Sequence, residues 1–352
     1  MRSQSEHDRL AAKKVPETLA GLLGVSLDDI EVRLEDPSGA DLVLKGAGHT
    51  FVVELKKSTS AALIAAAIIK VQDYGNRIGR RVFPLIVVPF MGNVGRKICD
   101  EAGVGWLDLS GNAHIIAGSI RIIVDGKPNL FRSAGRPPNL FAPKSSRVVR
   151  WLLIHPDKSF TQREIARSTG TDEGFVSRIV SRLEREGYIV REDKSAIRPK
   201  DPALLLDAWR ESYQFSKHTI YQGHVAARAG DALLRFACDI LAKQNVEHAA
   251  TGLAAAWAFT RYATFRIATV YLAGDPSSEL IEKLTFREDP RGANLWLVVP
   301  NDVGVFHGAV EKDGIRCVHP VQAYLDLKSH PERASEAAEH LRNEFLHWRR
   351  GG

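Results

Sequence analysis

Three observations predict a multi-domain α/β protein: a mixed sheet first, a winged helix-turn-helix next, and a second α/β domain last. Strand-like runs with a two-residue period alternate with helical stretches over the first 124 residues. Two short capped helices and a polar hairpin follow at about residues 145–200. Strand-like RIATVYLAG and NLWLVVP then precede VQAYLDLKSHPERASEAAEHLRNEFLHWRR, which is mostly helical. A length of 352 residues suits two or three domains. The boundaries expected are 1–125, a linker at 126–144, 145–200 and 201–352.

Taken in order, about residues 7–23 read as a helix, with strands near 30–35, 40–45 and 50–57. SAALIAAAIIKVQDYGNRIGR is rich in alanine and free of proline, so Ser60 to Arg80 is a long helix. RVFPLIVVPF reads as a buried strand and NVGRKICDEAG as a helix. VGWLDLSGNAHII and SIRIIV supply closing strands. DGKPNLFRSAGRPPNLFAPKSS is dense in Gly, Pro and Ser, as a linker is. SRVVRWLLIH is amphipathic and helical. TQREIARSTG opens on a capping box, Thr161 with Glu164, and closes at Gly170. DEGFVSRIVSRLEREG follows as a second helix with Val176, Ile179, Val180 and Leu183 on its buried stripe. YIVREDKSAIRP then has the strand, turn and strand of a small wing.

Composition narrows the classes. Hydrophobic residues make up 44% and charged residues 26%, as in an ordinary water-soluble protein. No apolar run reaches the roughly 18 residues of a membrane span, and the N-terminal stretch lacks a signal-peptide core. Cys99, Cys238 and Cys317 are far apart, which fits a reducing cytoplasm and neither a disulfide framework nor a cysteine zinc site. The net charge of +6 is concentrated: residues 144–200 hold 13 Lys and Arg against 8 Asp and Glu. A polyanion partner is therefore sought there first. Residues 201–352, with 17 against 19, show no GxxxxGK(S/T) loop and no paired aspartates for a two-metal nucleotide site.

Two places carry chemistry. In ADLVLKGAGHTFVVELKK, residues 40–57, a hairpin puts Asp41 on one strand beside Glu54 and Lys56 on the next. Charges gathered beside apolar neighbours are costly unless something uses them, although charged hairpin edges also serve solubility. In the second helix of the winged segment, Ser177, Arg178, Ser181 and Arg182 stand a helical step apart, away from the buried stripe. Arginine reads guanine with two hydrogen bonds, and serine bonds bases or phosphates. Arg163 and Arg167 on the helix before it suit phosphates, and Lys194 in the wing suits the minor groove or the backbone. The same residues also suit a solvated basic face on a protein-docking winged helix.

Three resemblances rest on these residues. The winged segment resembles the MarR type, in the run of small polar residue, Arg, apolar pair and Leu before Glu-x-x-Gly. The hairpin resembles the PD-(D/E)XK nuclease (restriction-endonuclease-like) fold, with Ala40 where a proline usually precedes the Asp. That resemblance implies Mg²⁺ or Mn²⁺ held by Asp41, Glu54 and the Leu55 carbonyl, with Lys56 orienting a water. It also implies a substrate-positioning Gln72, and Glu17 as an extra acid. VGWLDLSGNAHI (104–115) and VHPVQAYLDL (318–327) look like the AbiEi family of type IV toxin–antitoxin antitoxins and regulators. Asp108 in the first of these reads either as functional or as the cap of the Ser110-Gly111-Asn112 turn.

The expectation is a cytoplasmic DNA-binding transcriptional regulator, an AbiEi-like antitoxin and autorepressor with a nuclease-like first domain. One alternative is a Mg²⁺-dependent endonuclease aimed by its winged helix. Another is a non-enzymatic assembly protein docking a partner through its last domain. The partners implied are double-stranded DNA, a second copy of the chain in a homodimer and a nucleotidyltransferase-like toxin encoded nearby, with no membrane.

Overall fold

In the computed structural model, which describes residues 6–34, 40–78, 82–131, 140–192, 196–227 and 230–348, the chain divides into units at 1–137 and 138–352. The first is organised by a seven-stranded sheet in which each strand bonds to the next one in sequence. Helix α1 (Glu6–Leu23) leads into β1 (Glu31–Leu34), β2 (Leu42–Gly46) and β3 (His49–Leu55), an antiparallel meander. The β2–β3 turn is the two-residue pair Ala47-Gly48, both at positive φ, which matches the twist of a hairpin. Helix α2 (Ala61–Ile78) crosses to β4 (Phe83–Val88), parallel to β3, and α3 (Asn93–Glu101) crosses to β5 (Gly105–Asp108), parallel to β4. Strands β6 (Ala113–Ala117) and β7 (Ile120–Val124) close the sheet antiparallel.

Alternation along the strands divides the core into two layers. Val15 and Leu19 of α1 pack with Leu42, Leu44, Phe51 and Val53. On the other face, Ile64, Ala67, Ile68 and Val71 of α2 pack with Val52, Ile86 and Trp106. Asp41 and Glu54 belong to the α2 face by register. The first linker residues are pinned to the β5–β6 turn. Lys127 N–H donates to Asn112 Oδ1 at 2.8 Å, and Leu130 N–H donates to Ser110 Oγ at 3.2 Å.

The second unit begins with α4 (Pro143–Ile154), α5 (Gln162–Thr169), α6 (Glu173–Arg185) and the paired strands β8 (Ile189–Arg191) and β9 (Ile197–Pro199). After α7 (Pro202–Ser212) come β10 (Thr219–His224), α8 (Asp231–Lys243), β11 (His248–Thr251), α9 (Gly252–Thr260), β12 (Ala268–Leu272), α10 (Ser278–Lys283), β13 (Arg287–Glu288) and β14 (Leu295–Val299). β15 (Val310–Lys312), β16 (Ile315–Cys317), α11 (Pro320–Asp326) and α12 (Ala334–Phe345) complete it. Its sheet has the order β13-β10-β14-β12-β11-β16-β15, so chain-distant strands pair. The tail read as mostly helical is interrupted between α11 and α12 around His330-Pro331, where proline cannot continue a helix. The terminal Arg349 and Arg350 lie outside the described residues.

Candidate functional site

Two charged constellations stand out, one in each unit. In the first, Asp41 precedes β2 and accepts the Leu55 N–H on Oδ2 at 2.8 Å, which locks the hairpin's open end. Glu54 is 1% exposed, on a strand flanked by β2 and β4. Its Oε1 accepts from Lys56 Nζ at 2.6 Å. A further cation, Lys70 of α2, donates to the same Oε1 at 2.9 Å. Its ammonium also lies 2.8 Å from Oε2 and 3.7 Å from Asp41 Oδ1. Oε2 has that ion partner but, among the described residues, no aligned hydrogen bond. The hairpin reading missed Lys70, because it comes from a helix 16 residues on. A signal existed: Lys70 is the sole charged residue between Lys57 and Asp73.

Other residues tied to this site go elsewhere. Gln72 Nε2 donates to the Ala102 carbonyl at 3.0 Å, satisfying the C-terminal end of α3. Glu17 is exposed on α1, which covers the opposite face of the sheet, so the structure does not bring it to Glu54. Asp108 accepts from Ser110 N–H (3.0 Å) and Asn112 N–H (2.9 Å) on one oxygen, and from Met91 N–H (3.2 Å) and Asn112 Nδ2 (2.9 Å) on the other. All four of these bonds hold turns, as an Asx cap does. Among the described residues no group of three or more His, Cys, Asp or Glu could hold a metal ion. With an ammonium seated between the two carboxylates, the donor set does not fit a resident Mg²⁺ or Mn²⁺.

In the second unit, local rules place the recognition helix. Thr161 and Glu164 cap α5 reciprocally, and Gly170 ends it at φ 62°. Asp172 accepts the Phe175 N–H at 2.6 Å and starts α6. Asp172→Ala is expected to cost about 1 kcal/mol of stability. A denaturant midpoint equal to that of the parent protein would refute this. Val176, Ile179, Val180 and Leu183 are buried. The face directly opposite is Gly174, Arg178, Ser181 and Arg185, all exposed.

This corrects the sequence reading of α6. Ser177 and Arg182 are half-buried flanks, and Arg182 Nε bonds Glu186 at 3.0 Å. Arg185 was missed, although it sits seven residues after Arg178 on the same stripe. On α5, Arg167 is exposed with no ion pair among the described residues, and Arg163 lies 3.7 Å from Glu173. Lys194 falls outside the described residues. The wing arginines are committed, Arg191 to Glu184 at 2.7 Å and Arg198 to Glu192 at 2.5 Å.

Two arginines of the basic segment turn inward. Arg147 holds Asp302 with its Nε at 2.8 and 3.0 Å and its Nη2 at 2.9 Å. Arg150, 3% exposed, lies over Trp209 at 5.0 Å and donates from Nη2 to Gln322 Oε1 at 2.6 Å. Burial lowers its affinity for the proton. Gln322 Nε2 passes the chain on to Asp326 Oδ1 (2.8 Å) and the Tyr213 hydroxyl (3.1 Å). Tyr213 and Thr251 hydroxyls both donate to Asp326. Burial pushes the Asp326 carboxyl up to about 6, while these bonds pull it down. The residues of PVQAYLDL that looked like a family signature therefore build a buried polar seam beneath α4.

Two segments match known families. Residues 141–196 match the MarR family, and residues 199–347 match the family described as transcriptional regulator, AbiEi antitoxin, type IV toxin–antitoxin system. No curated protein and no solved structure matches the chain. No helix among the described residues is long and apolar enough to cross a membrane.

Proposed function

We propose that this chain, a DNA-binding regulator of the antitoxin type by its two matched segments, represses its own transcription and offsets a nucleotidyltransferase-like toxin encoded beside it. The observation that carries the DNA reading is the exposed stripe Gly174, Arg178, Ser181 and Arg185 on the second helix of the helix-turn-helix. Glycine lets the helix backbone approach a groove wall, the arginines reach base edges, and Arg167 on α5 reaches phosphates. A homodimer on a two-fold operator would follow from the usual symmetry of such readers. For residues 1–125 we favour a restriction-endonuclease-like fold. The order α1-β1-β2-β3-α2-β4 and the parallel β3–β4 pair support it.

The test uses the full-length protein and the DNA upstream of its own gene, titrated by fluorescence anisotropy at several salt concentrations. Arg178→Ala is expected to weaken specific binding by about 1–3 kcal/mol and relax preference at one position of the site. Arg167→Ala is expected to weaken all sequences alike and to reduce the salt slope by about one. Parent-like affinity in the Arg178→Ala, Arg185→Ala double variant would overturn the reading. The endonuclease alternative is favoured by Asp41 and Glu54 sharing a face, and it stands or falls with the cation between them.

A further inference from the structure

We propose that Lys70 is a built-in substitute for a divalent cation, making residues 6–131 a charge-balanced domain that needs no metal. The proposal does not depend on the regulator reading. Two carboxylates on adjacent strands with one lysine, Asp41, Glu54 and Lys56, sum to −1. That deficit attracts a cation, because the carboxylates repel when both are ionised. Lys70 brings the sum to zero. Its ammonium lies 2.9 and 2.8 Å from the two Glu54 oxygens and 3.7 Å from Asp41 Oδ1, so it bridges both acids.

Geometry and placement point the same way. A divalent ion of this class needs oxygen ligands at about 2.1 Å on several sides. Glu54 is 1% exposed, and both of its oxygens already face ammonium groups. Asp41 Oδ2 is occupied by the Leu55 N–H. What remains open is Asp41 Oδ1, and Lys70 faces it. Lys70 is fixed in turn by its helix, since Ala67 and Val71 beside it are packed in the core. An ion entering would have to expel the Lys70 ammonium from a buried carboxylate and would turn a neutral cluster into one at +1. A carboxylate site that neutralises itself has no charge to offer the metal.

Removing Lys70 should therefore create a metal site. In Lys70→Met an unbranched side chain of similar length is kept, Glu54 Oε2 and Asp41 Oδ1 lose their cation, and the sum returns to −1. The measurement is the melting temperature of the full chain against Mn²⁺ or Mg²⁺ from zero to millimolar, with Ca²⁺-free buffer and a chelator as baseline. The parent protein is expected to show no saturable shift, and Lys70→Met a saturable rise that Lys70→Met with Glu54→Gln lacks. A metal-dependent rise in the parent that Glu54→Gln removes would overturn the proposal, and needs no Lys70 variant to fold. A folded Lys70→Met without any rise would overturn it too. A lysine serving only as a surface ion pair would not turn its removal into a gain of metal affinity.

Discussion

Replacing Arg150 with alanine is expected to lower the stability of residues 138–352 by about 3–5 kcal/mol, the cost of a cavity in the core together with a buried acceptor left without its donor. The loss has three sources. The guanidinium that covers the Trp209 ring at 5.0 Å disappears and leaves a cavity under α4. Gln322 Oε1 loses its donor at 2.6 Å. The ionised Asp326, fully buried, loses its attraction to a nearby positive charge. One consideration limits the effect: Arg150 Nε and Nη1 have no hydrogen-bond partner among the described residues, so its burial already carries an unrecovered desolvation cost. Arg150→Met should accordingly lose much less than Arg150→Ala. Urea unfolding followed by tryptophan fluorescence measures both. An alanine variant within about 1 kcal/mol of the parent would show that the seam contributes little.

Acid is expected to unfold the same unit, through two histidines opposed by one aspartate. Burial, with Arg150 nearby, pushes His218 down to about 4, and burial, with His155 and Arg150 nearby, does the same to His319. Their bonds explain why neither welcomes a second proton. His218 Nδ1 accepts the Asn301 N–H at 3.1 Å, and His319 Nδ1 accepts the Val321 N–H at 3.2 Å as the cap of α11. Each therefore contributes stability that is present above its unfolded value of 6.5 and is lost as pH falls toward 4. One such shift corresponds to about 3 kcal/mol. Asp326 acts in the other direction. Raised from 3.8 to about 6, it favours the folded state more as pH falls through that window. For these three groups the sum is a net loss of roughly 3 kcal/mol between pH 6.5 and 4. His155, His248, His307 and His330, also lowered by burial, add to the loss in the same direction. His319→Asn, which keeps a capping oxygen, should flatten the decline by one proton equivalent, and Asp326→Asn should steepen it. Identical slopes in parent and variants from pH 7 to 4.5 would refute the assignment.

The winged helix was legible in the sequence because its signals are local. A capping box, a left-handed glycine and a four-residue apolar stripe all act within one or two turns. The first meander was legible for a similar reason, since its strands alternate and pair in sequence order. What escaped was everything set by distant segments. Strand β11 reads HAAT, with little β-branched character, and becomes a strand because β12 and β16 flank it. Arg147 and Arg150 counted toward a basic surface, because SRVVRWLLIH looks amphipathic when taken alone. In the folded chain α4 also buries the side that carries these two arginines, against Asp302 and Gln322, so part of the charge excess never faces DNA. Lys70 was missed for a related reason: nothing in the hairpin points to it, and its one signal, a lone charge in an apolar helical stretch, lies outside the hairpin.

The contrast between the two sheets has a consequence for the ribosome. In the first unit each strand meets its neighbour as soon as that neighbour is synthesised, so the sheet can close one strand at a time while the chain is still growing. The second sheet cannot, because β10 lies between β13 and β14, and β11 must wait for β16. The first helix of the winged segment is held in this queue as well: Arg150 emerges long before Gln322, 172 residues later, can receive it. Until then a buried-to-be charge has no partner, and α4 has no seat. A chain stalled before α11 would hold α6 on a base whose α4 still lacks its Gln322 partner.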